Sequence, residues 1–258
     1  MSSTTISASL PDRSGLRSRI NAGAAVLATL FAFLGLYGND AQAQSASRGD
    51  KIPDTIAERT LACAACHGKE GRATRDGYFP RIAGKPAGYL YNQLINFRDG
   101  RRQYPLMSYM VAHLSDEYLK EMAIYFSGLK LPYPPPEPSV AGRETLERGR
   151  ALVVNGDPAR KIPACVACHG ATLTGALPAI PSLVGLSSGY LNAQFGAWKS
   201  GARTAVAPDC MAEISQQLNP GDIGAITAWL AAQAVPNDMT PVAANSVKLP
   251  MPCGSAPQ

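Results

Sequence analysis

Two short runs of cysteine and histidine are the residues in this sequence most able to do chemistry. The pattern Cys-x-x-Cys-His occurs twice, at Cys63, Cys66 and His67 and again at Cys165, Cys168 and His169. Two thiols one helical turn apart can add to the two vinyl groups on one edge of a porphyrin, and the adjacent histidine is then placed beneath the iron. The spacing therefore predicts two covalently bound c-type haems, with one histidine as a ligand of each iron.

Three other uses of paired cysteines compete with haem attachment: a thioredoxin-like redox pair, a zinc site and a structural disulfide. A thioredoxin-like pair is expected beside a βαβ pattern, which the sequence lacks. A single zinc site needs its two cysteine pairs close together, whereas about a hundred residues separate these. A repeated disulfide would not require a histidine after both pairs. Haem attachment is therefore the favoured interpretation.

Counting the histidines narrows the choice of the second axial ligand of each iron. The chain has three, and only His113 lies outside the two motifs, so two-histidine ligation is available to one haem at most. Met107 and Met211 lie at matched points of the two motif regions, and a thioether ligand is typical of electron-carrying haems. Core packing is the alternative use of these methionines, and Met110 is the nearest rival in the first copy. We expect His113 to be an ordinary surface or loop histidine.

The two motifs belong to a longer internal repeat, which defines the elements that must position them. The matched landmarks are Pro80 to Gly84 with Pro181 to Gly185, Gly88 to Leu90 with Gly189 to Leu191, Gln93 with Gln194, Gly100 and Arg102 with Gly201 and Arg203, and Met107, Leu114 and Tyr125 with Met211, Leu218 and Trp229. Between the copies, residues 131–138 are proline-rich and predict a stiff, extended linker. The expected organisation is a first domain over residues 44–130, a linker over 131–141, a second domain over 142–236 and a tail over 237–258.

Each copy is expected to be helical. Ser115 can cap one closing helix, and Asn219 followed by Pro220 can begin the other. Apolar positions at helical spacing are Leu119, Met122, Ala123 and Phe126 in the first copy and Ile223, Ile226, Thr227 and Leu230 in the second. Earlier helices are expected from about Asp54 into the first cysteine pair, over 86–98, over 143–154 and over 188–199. Because no alternating strand pattern stands out, the predicted fold class is all-α.

The first 43 residues have the layout of a secretory signal peptide. Arg13, Arg17 and Arg19 precede an apolar run over residues 22–37, and Ala41-Gln42-Ala43 supplies small residues for cleavage. We therefore expect cleavage after Ala43 and a periplasmic location. An uncleaved membrane anchor is the alternative, because the apolar run is close to the shortest membrane span, about 17 residues.

Cleavage there would change the formal net charge only from +5 to +4, since it removes three arginines and two aspartates. Four haem propionates would bring the loaded protein close to neutral. This balance gives no support to a nucleic-acid-binding role, and attraction of partners must come from local patches.

Two cysteines remain outside the haem motifs. Cys210 directly precedes Met211, and Cys253 lies in the proline-rich tail. In an exported protein the simplest use of these thiols is a disulfide that holds the tail. The alternative makes Cys210 a thiolate ligand of iron, which would lower the potential and would be similar to dihaem enzymes that oxidise thiosulfate.

The residues resemble the dihaem cytochrome c4 group and related two-domain class I cytochromes c. The likeness covers residues 50 to 236 and includes both cysteine motifs, Gly-Tyr-Leu-x-x-Gln, Gly-x-Arg and the methionine before Leu-Ser-Asp-Glu. It implies two tandem cytochrome c domains, each wrapped around one covalent haem and packed about a pseudo-twofold axis. It assigns His67 and Met107 to the first iron and His169 and Met211 to the second. It also suggests that Arg102, Arg203, Tyr89 and Tyr190 lie near haem propionates.

An iron that holds both histidine and methionine has no open position for a substrate, so outer-sphere electron transfer is the expected function. The partners would be a quinol-oxidising complex or a dehydrogenase on the donor side and a terminal oxidase or reductase on the acceptor side. Any association with a membrane surface is expected through these partners. Two alternatives stay open: a dihaem oxidoreductase of the thiosulfate dehydrogenase or peroxidase type, and the cytochrome subunit of a dehydrogenase complex.

Overall fold

Short helices separated by long loops form the architecture of the computed structural model. It describes residues 53–74, 78–136 and 138–256. The helices of the first half (residues 53–130) are α1 (Ile56–Arg59), α2 (Leu61–His67), α3 (Ala87–Arg98), α4 (Pro105–Val111) and α5 (Asp116–Gly128). Those of the second half (residues 142–236) are α6 (Arg143–Asn155), α7 (Val166–His169), α8 (Ser188–Ser200), α9 (Cys210–Gln217) and α10 (Pro220–Ala231). Within the described ranges β-structure is limited to isolated bridges, as the all-α prediction requires.

The expected signal peptide, residues 1–43, lies outside the described residues. Within the ranges that are described, no helix is both long enough and apolar enough to cross a membrane.

The two closing helices begin where their capping residues predict. The Ser115 hydroxyl accepts a hydrogen bond from the Tyr118 amide at 3.3 Å at the start of α5. Asn219 and Asp222 form a reciprocal capping box at the start of α10, with Pro220 in the first turn. Both caps satisfy amide groups that a helix terminus would otherwise leave without partners.

The predicted apolar faces of these helices are the buried ones. The buried residues of α5 are Leu119, Met122, Ala123 and Phe126, and those of α10 include Ile223, Ile226, Thr227 and Leu230. Helix α5 packs on α3, and α10 packs on α6 and α8. Each half therefore has a helical core of its own, built around its closing helix.

The helix expected from Asp54 into the first cysteine pair is interrupted. The Thr60 hydroxyl donates to the carbonyl groups of Ile56 and Ala57, at 2.9 and 3.0 Å. This residue ends α1 and separates it from α2. Serine and threonine often compete with the helix backbone in this way, so the helical run is interrupted just before the first cysteine motif.

The helices that carry the two candidate methionine ligands, α4 and α9, are absent from the sequence-based expectations. They span seven and eight residues. Pro105 begins α4, and the Asp209 carboxylate caps α9 by accepting from the Ala212 amide at 3.1 Å. Both start signals are single residues, and the helices are too short to show a repeating pattern of apolar residues.

The proline-rich segment packs against the first half. The Arg81 guanidinium lies 3.8 Å from the centre of the Tyr133 ring, and it donates to the carbonyl groups of Leu131 and Pro132 at 2.6 and 3.0 Å. The start of the linker is therefore anchored on the loop that follows the first cysteine motif. The domain boundaries placed around this segment stay predictions.

Backbone hydrogen bonds join the two halves at equivalent points of the repeat. The Gln103 amide donates to the Ala202 carbonyl at 2.7 Å, and the Thr204 amide donates to the Arg101 carbonyl at 2.6 Å. Elsewhere the Gly88 amide donates to the Pro178 carbonyl at 3.1 Å. These pairings bring the Gly-x-Arg segments of both copies side by side.

Candidate functional site

Each motif histidine is oriented by a backbone carbonyl. His67 ends α2, and its Nδ1 lies 2.8 Å from the Pro80 carbonyl oxygen. His169 ends α7, and its Nδ1 lies 2.7 Å from the Pro181 carbonyl oxygen. Because a carbonyl oxygen only accepts, Nδ1 carries the proton and donates, which leaves the lone pair on Nε2. A second hydrogen bond of this kind is what fixes the tautomer of a metal-ligating histidine.

Burial keeps both imidazoles neutral. His67 and His169 are only 8% and 7% exposed. Burial lowers the pKa of both rings and outweighs the opposing effect of the hydrogen bonds to Pro80 and Pro181. A neutral imidazole is the form that can bind iron.

Three of the four motif cysteines, Cys63, Cys165 and Cys168, have the opposite electrostatics to a thioredoxin-like pair. None of the four is joined to another cysteine in a disulfide. Burial raises the pKa of Cys63 and Cys168, and it raises the pKa of Cys165 to about 12. Reactive redox cysteines instead have a lowered pKa. Within the described ranges no cluster of three or more histidine, cysteine or acidic side chains is arranged to hold a metal ion, so the zinc alternative gains no support either.

One continuous cavity brings the predicted site residues together. Its volume is about 970 Å³, at the upper end of the range of about 300–1,000 Å³ for ligand pockets. Its lining contains all four motif cysteines, both motif histidines and the two candidate methionines, Cys63, Cys66, His67, Met107, Cys165, Cys168, His169 and Met211. The rival Met110 also lines it, and exposed His113 does not. An apolar cavity with free Nε2 atoms, thioethers and paired thiols fits two porphyrins with axial ligation.

Two arginines from equivalent positions share their acceptors across the boundary between the halves. Arg102 donates to Gln93 Oε1 at 2.8 Å and to Gln194 Oε1 at 2.6 Å. Arg203 donates to the same two oxygen atoms, at 3.0 and 2.8 Å. All four side chains line the cavity. Contact between Arg102, Arg203 and the haem propionates stays a prediction.

The role of the two glutamines was missed by sequence reasoning. The repeat marks both positions, because Gln93 and Gln194 match within Gly-Tyr-Leu-x-x-Gln. Their function as acceptors for arginines of both halves depends on contacts over 92 and 110 residues of sequence.

The two remaining cysteines form a disulfide. Cys210 is bonded to Cys253, with their Cα atoms 5.0 Å apart. Cys210 is therefore not free to bind iron as a thiolate, and that alternative is rejected. The bond holds the tail beside α9, and Leu249, Met251 and Ala256 of the tail line the cavity.

Comparison with known proteins gives two groups of relatives. The chain is 38% identical over 172 residues to the thiosulfate dehydrogenase electron acceptor of Thiomonas intermedia, covering 67% of this chain and 78% of that protein. It is 30% identical over 207 residues to cytochrome c4 of Pseudomonas aeruginosa, covering 80% of this chain and 96% of that protein. No protein-family model matches the chain.

Solved structures agree with these relatives. Reduced cytochrome c4 from Pseudomonas stutzeri aligns with a TM-score of 0.61 at 27% identity, over 69% of this chain and 97% of that chain. A thiosulfate dehydrogenase from Marichromatium purpuratum aligns with a TM-score of 0.62 at 32% identity, over 70% of this chain. The match covers 39% of the dehydrogenase chain, so most of that protein has no counterpart in the aligned region.

The helical fold, the duplicated Cys-x-x-Cys-His motif and these relatives define a c-type cytochrome with two covalently bound haems, which transfers electrons. More specifically, the chain belongs to the cytochrome c4 family.

Proposed function

We propose that this protein accepts electrons from a dehydrogenase of the thiosulfate-oxidising class and passes them to a further redox protein. The observation that carries the proposal is that each half provides a motif imidazole and a thioether at a matched position, Met107 or Met211, to the cavity wall. Support for the donor class comes from the electron acceptor of Thiomonas intermedia and from a second protein of the same description in Stutzerimonas stutzeri, 36% identical over 173 residues.

The residue roles belong to the same proposal. Cys63 and Cys66 attach the first haem, and Cys165 and Cys168 attach the second. His67 and His169 bind the irons through Nε2, the nitrogen that the carbonyl groups of the Pro80 and Pro181 loops leave free. Met107 and Met211 supply the opposite ligands. Haem iron supplies the one-electron couple, while the protein orients the ligands and surrounds them with apolar side chains.

The location is proposed to be the periplasm, reached through a signal peptide over residues 1–43. Covalent haem and a disulfide between Cys210 and Cys253 both suit an oxidising compartment. Mass measurement of the mature protein tests the proposal: a chain that begins at residue 44 is expected, and a chain that retains residues 1–43 would contradict it.

The donor is tested by mixing the oxidised holoprotein with thiosulfate and a purified thiosulfate dehydrogenase. We expect both haems to be reduced, seen as growth of the ferrous haem absorption bands. Thiosulfate without the dehydrogenase should leave the protein oxidised, because neither haem offers an open iron position. Absence of reduction in the complete mixture would reject this donor class, and reduction by thiosulfate alone would favour the enzyme alternative.

A second candidate is a carrier between a quinol-oxidising complex and a terminal oxidase or reductase. The observation that favours it is the coverage of cytochrome c4 from Pseudomonas aeruginosa, 96% of whose length aligns with this chain. Membranes that contain a quinol-oxidising complex should then reduce the holoprotein when quinol is added. Reduction by these membranes combined with no reduction by thiosulfate dehydrogenase would replace the first candidate.

The axial ligand of the first haem is tested by two methionine variants from one helix. Met107→Ala is expected to remove half of the intensity of the ferric methionine-to-iron charge-transfer band, because one of two thioether ligands is lost. Met110→Ala is the matched control, since Met110 lies on the same helix, also lines the cavity and is 45% exposed. The reverse result would assign the ligand to Met110.

A further inference from the structure

Lys85 is a buried lysine of the first half whose side chain contacts the second half. Its side chain is only 3% exposed, and Nζ donates to Ser182 Oγ at 2.6 Å and to the Ser182 carbonyl at 3.3 Å. Ser182 follows Pro181, whose carbonyl accepts the hydrogen bond from His169. The ammonium group is therefore anchored on the residue next to the group that orients the histidine of the second site.

The charge of Lys85 has no anionic partner among the residues that the structure describes, where each ion pair joins an arginine to a carboxylate. Burial and, to a smaller extent, the nearby Arg81 cation together lower the pKa of Lys85 to about 7. A buried charge without a counter-charge costs free energy, so packing alone would favour a neutral side chain here. The serine contacts hold this charge at the cavity wall.

The internal repeat shows that Lys85 has no basic counterpart in the second copy. Lys85 follows Gly84, and the matched residue after Gly185 is Leu186. The second half therefore places a leucine where the first half places a lysine. Lys85 and His169 line the same cavity, and the serine that holds Lys85 directly follows the residue whose carbonyl accepts from His169, so the charge lies close to the second site.

We propose that Lys85 sets the reduction potential of the second haem from across the boundary between the halves. A positive charge held behind His169 disfavours the oxidised iron, which carries one more positive charge than the reduced iron, and so it raises the potential of that haem. Lys85 acts through the surroundings of His169 and is a positioning residue rather than an iron ligand. This inference rests on the proposed role of His169 as the ligand.

The test is a spectroelectrochemical titration of the haem-loaded protein at pH 6, where the ammonium form of Lys85 dominates. Two one-electron steps are expected, and haem methyl signals in proton NMR spectra assign each step to its haem. In Lys85→Met the second haem should be harder to reduce by about tenfold in the equilibrium constant, which is about 59 mV for one electron. The first haem should change much less.

Two further variants distinguish the effect of the local charge of Lys85 from that of its hydrogen bond to Ser182 and from that of the protein's net charge. Lys85→Gln keeps a hydrogen-bond donor for Ser182 and is expected to give the same loss of potential. Lys120→Met removes the same charge from an exposed position of α5 and should leave both potentials nearly unchanged.

Equal shifts of both haems in Lys85→Met and Lys85→Gln, or shifts no larger than in Lys120→Met, would overturn the inference. Mass spectrometry of each variant keeps this failure apart from failure of the haem assignment. Two bound haems with unchanged potentials reject only the role of Lys85, whereas a parent protein without bound haem rejects the proposed function as well.

Discussion

Asp222 is the residue at which three segments of the second half meet. Its carboxylate accepts from Arg148 at 2.8 Å and from Arg160 at 2.7 Å, and it also accepts from the Asn219 amide at 3.2 Å. The side chain is only 3% exposed. One carboxylate therefore ties the start of α10 to α6 and to the loop that leads into the second cysteine motif.

Asp222→Asn is expected to lower the free energy of unfolding at pH 7 by about 1.5–3 kcal/mol, the usual value of a hydrogen bond to a charged group. Burial raises the pKa of Asp222, but the hydrogen bonds from Arg160 and Arg148 outweigh it and hold the pKa below its usual value. The unfolded chain therefore binds the proton more readily, and this contribution is lost as the pH falls from about 4 through the folded pKa.

Urea unfolding of parent and variant at pH 7 and pH 3 measures this effect. The difference between them should shrink at the lower pH. Asp54→Asn is the control, because Asp54 forms an ion pair with Arg59 in which its side chain is 78% exposed, and no measurable change is expected. A difference for Asp222→Asn that stays constant with pH would contradict the assignment.

At the scale of the elements, the crossing of α6 and α10 depends on one glycine. A Cβ atom at Gly149 would collide with the Ala225 carbonyl oxygen and would lie 2.8 Å from the Trp229 Cβ atom. The obstacle is the backbone of the neighbouring helix, which cannot move aside as a flexible side chain can. Gly149 therefore lets α6 lie directly against the closing helix α10.

Gly149→Ala is expected to destabilise the protein although alanine is the better helix former. The gain in helix propensity is about 1 kcal/mol, whereas overpacking at a backbone contact costs about 1–3 kcal/mol. The matched control is Gly224→Ala, because a Cβ atom at Gly224 of α10 meets nothing within 4 Å, and a gain of up to about 1 kcal/mol is expected. Thermal unfolding of both variants decides; stabilisation by Gly149→Ala would show that the helices separate freely.

At the scale of the whole molecule, the tail (residues 237–258) connects both halves. Met239 packs against the core of the second half, and Val242 pairs with the backbone of Gly175 and Leu177. Near its end, the Ser255 carbonyl accepts from the Asn92 side chain of the first half at 3.0 Å. The disulfide of Cys253 fixes this path beside the candidate methionine ligand of the second site.

Cys253→Ser is expected to lower the free energy of unfolding by about 2–4 kcal/mol, because the disulfide closes a loop of 43 residues and restrains the unfolded chain. Denaturant unfolding of the oxidised holoprotein gives the value. The double variant with Cys210→Ser should lose no more than the single variant, since both lack the same bond. Equal stability of the parent and Cys253→Ser would show that the tail contributes through its other contacts alone.

The helical fold and the chemistry of the site could be predicted from local sequence. The spacing of Cys-x-x-Cys-His alone predicts haem attachment. The buried faces of α5 and α10 follow from apolar residues at helical intervals, and the starts of these helices follow from the Ser115 and Asn219 caps. The family relationship confirms the two haems and the all-α class. The interrupted first helix and the short methionine helices escaped prediction, because a side-chain hydrogen bond at Thr60 and one-residue start signals decide them.

Sequence by itself predicted which residues attach haem and established that the module occurs twice, because covalent attachment and helix periodicity depend on near neighbours in the chain. Tertiary structure alone decided that Lys85 reaches Ser182, that Gln93 serves arginines of both halves, and that Cys210 is joined to Cys253 rather than available to iron. Apart from the bond between Gln93 and Arg102, these contacts join residues 43 to 110 positions apart, and no local pattern records which distant surfaces will meet once two helical cores pack together.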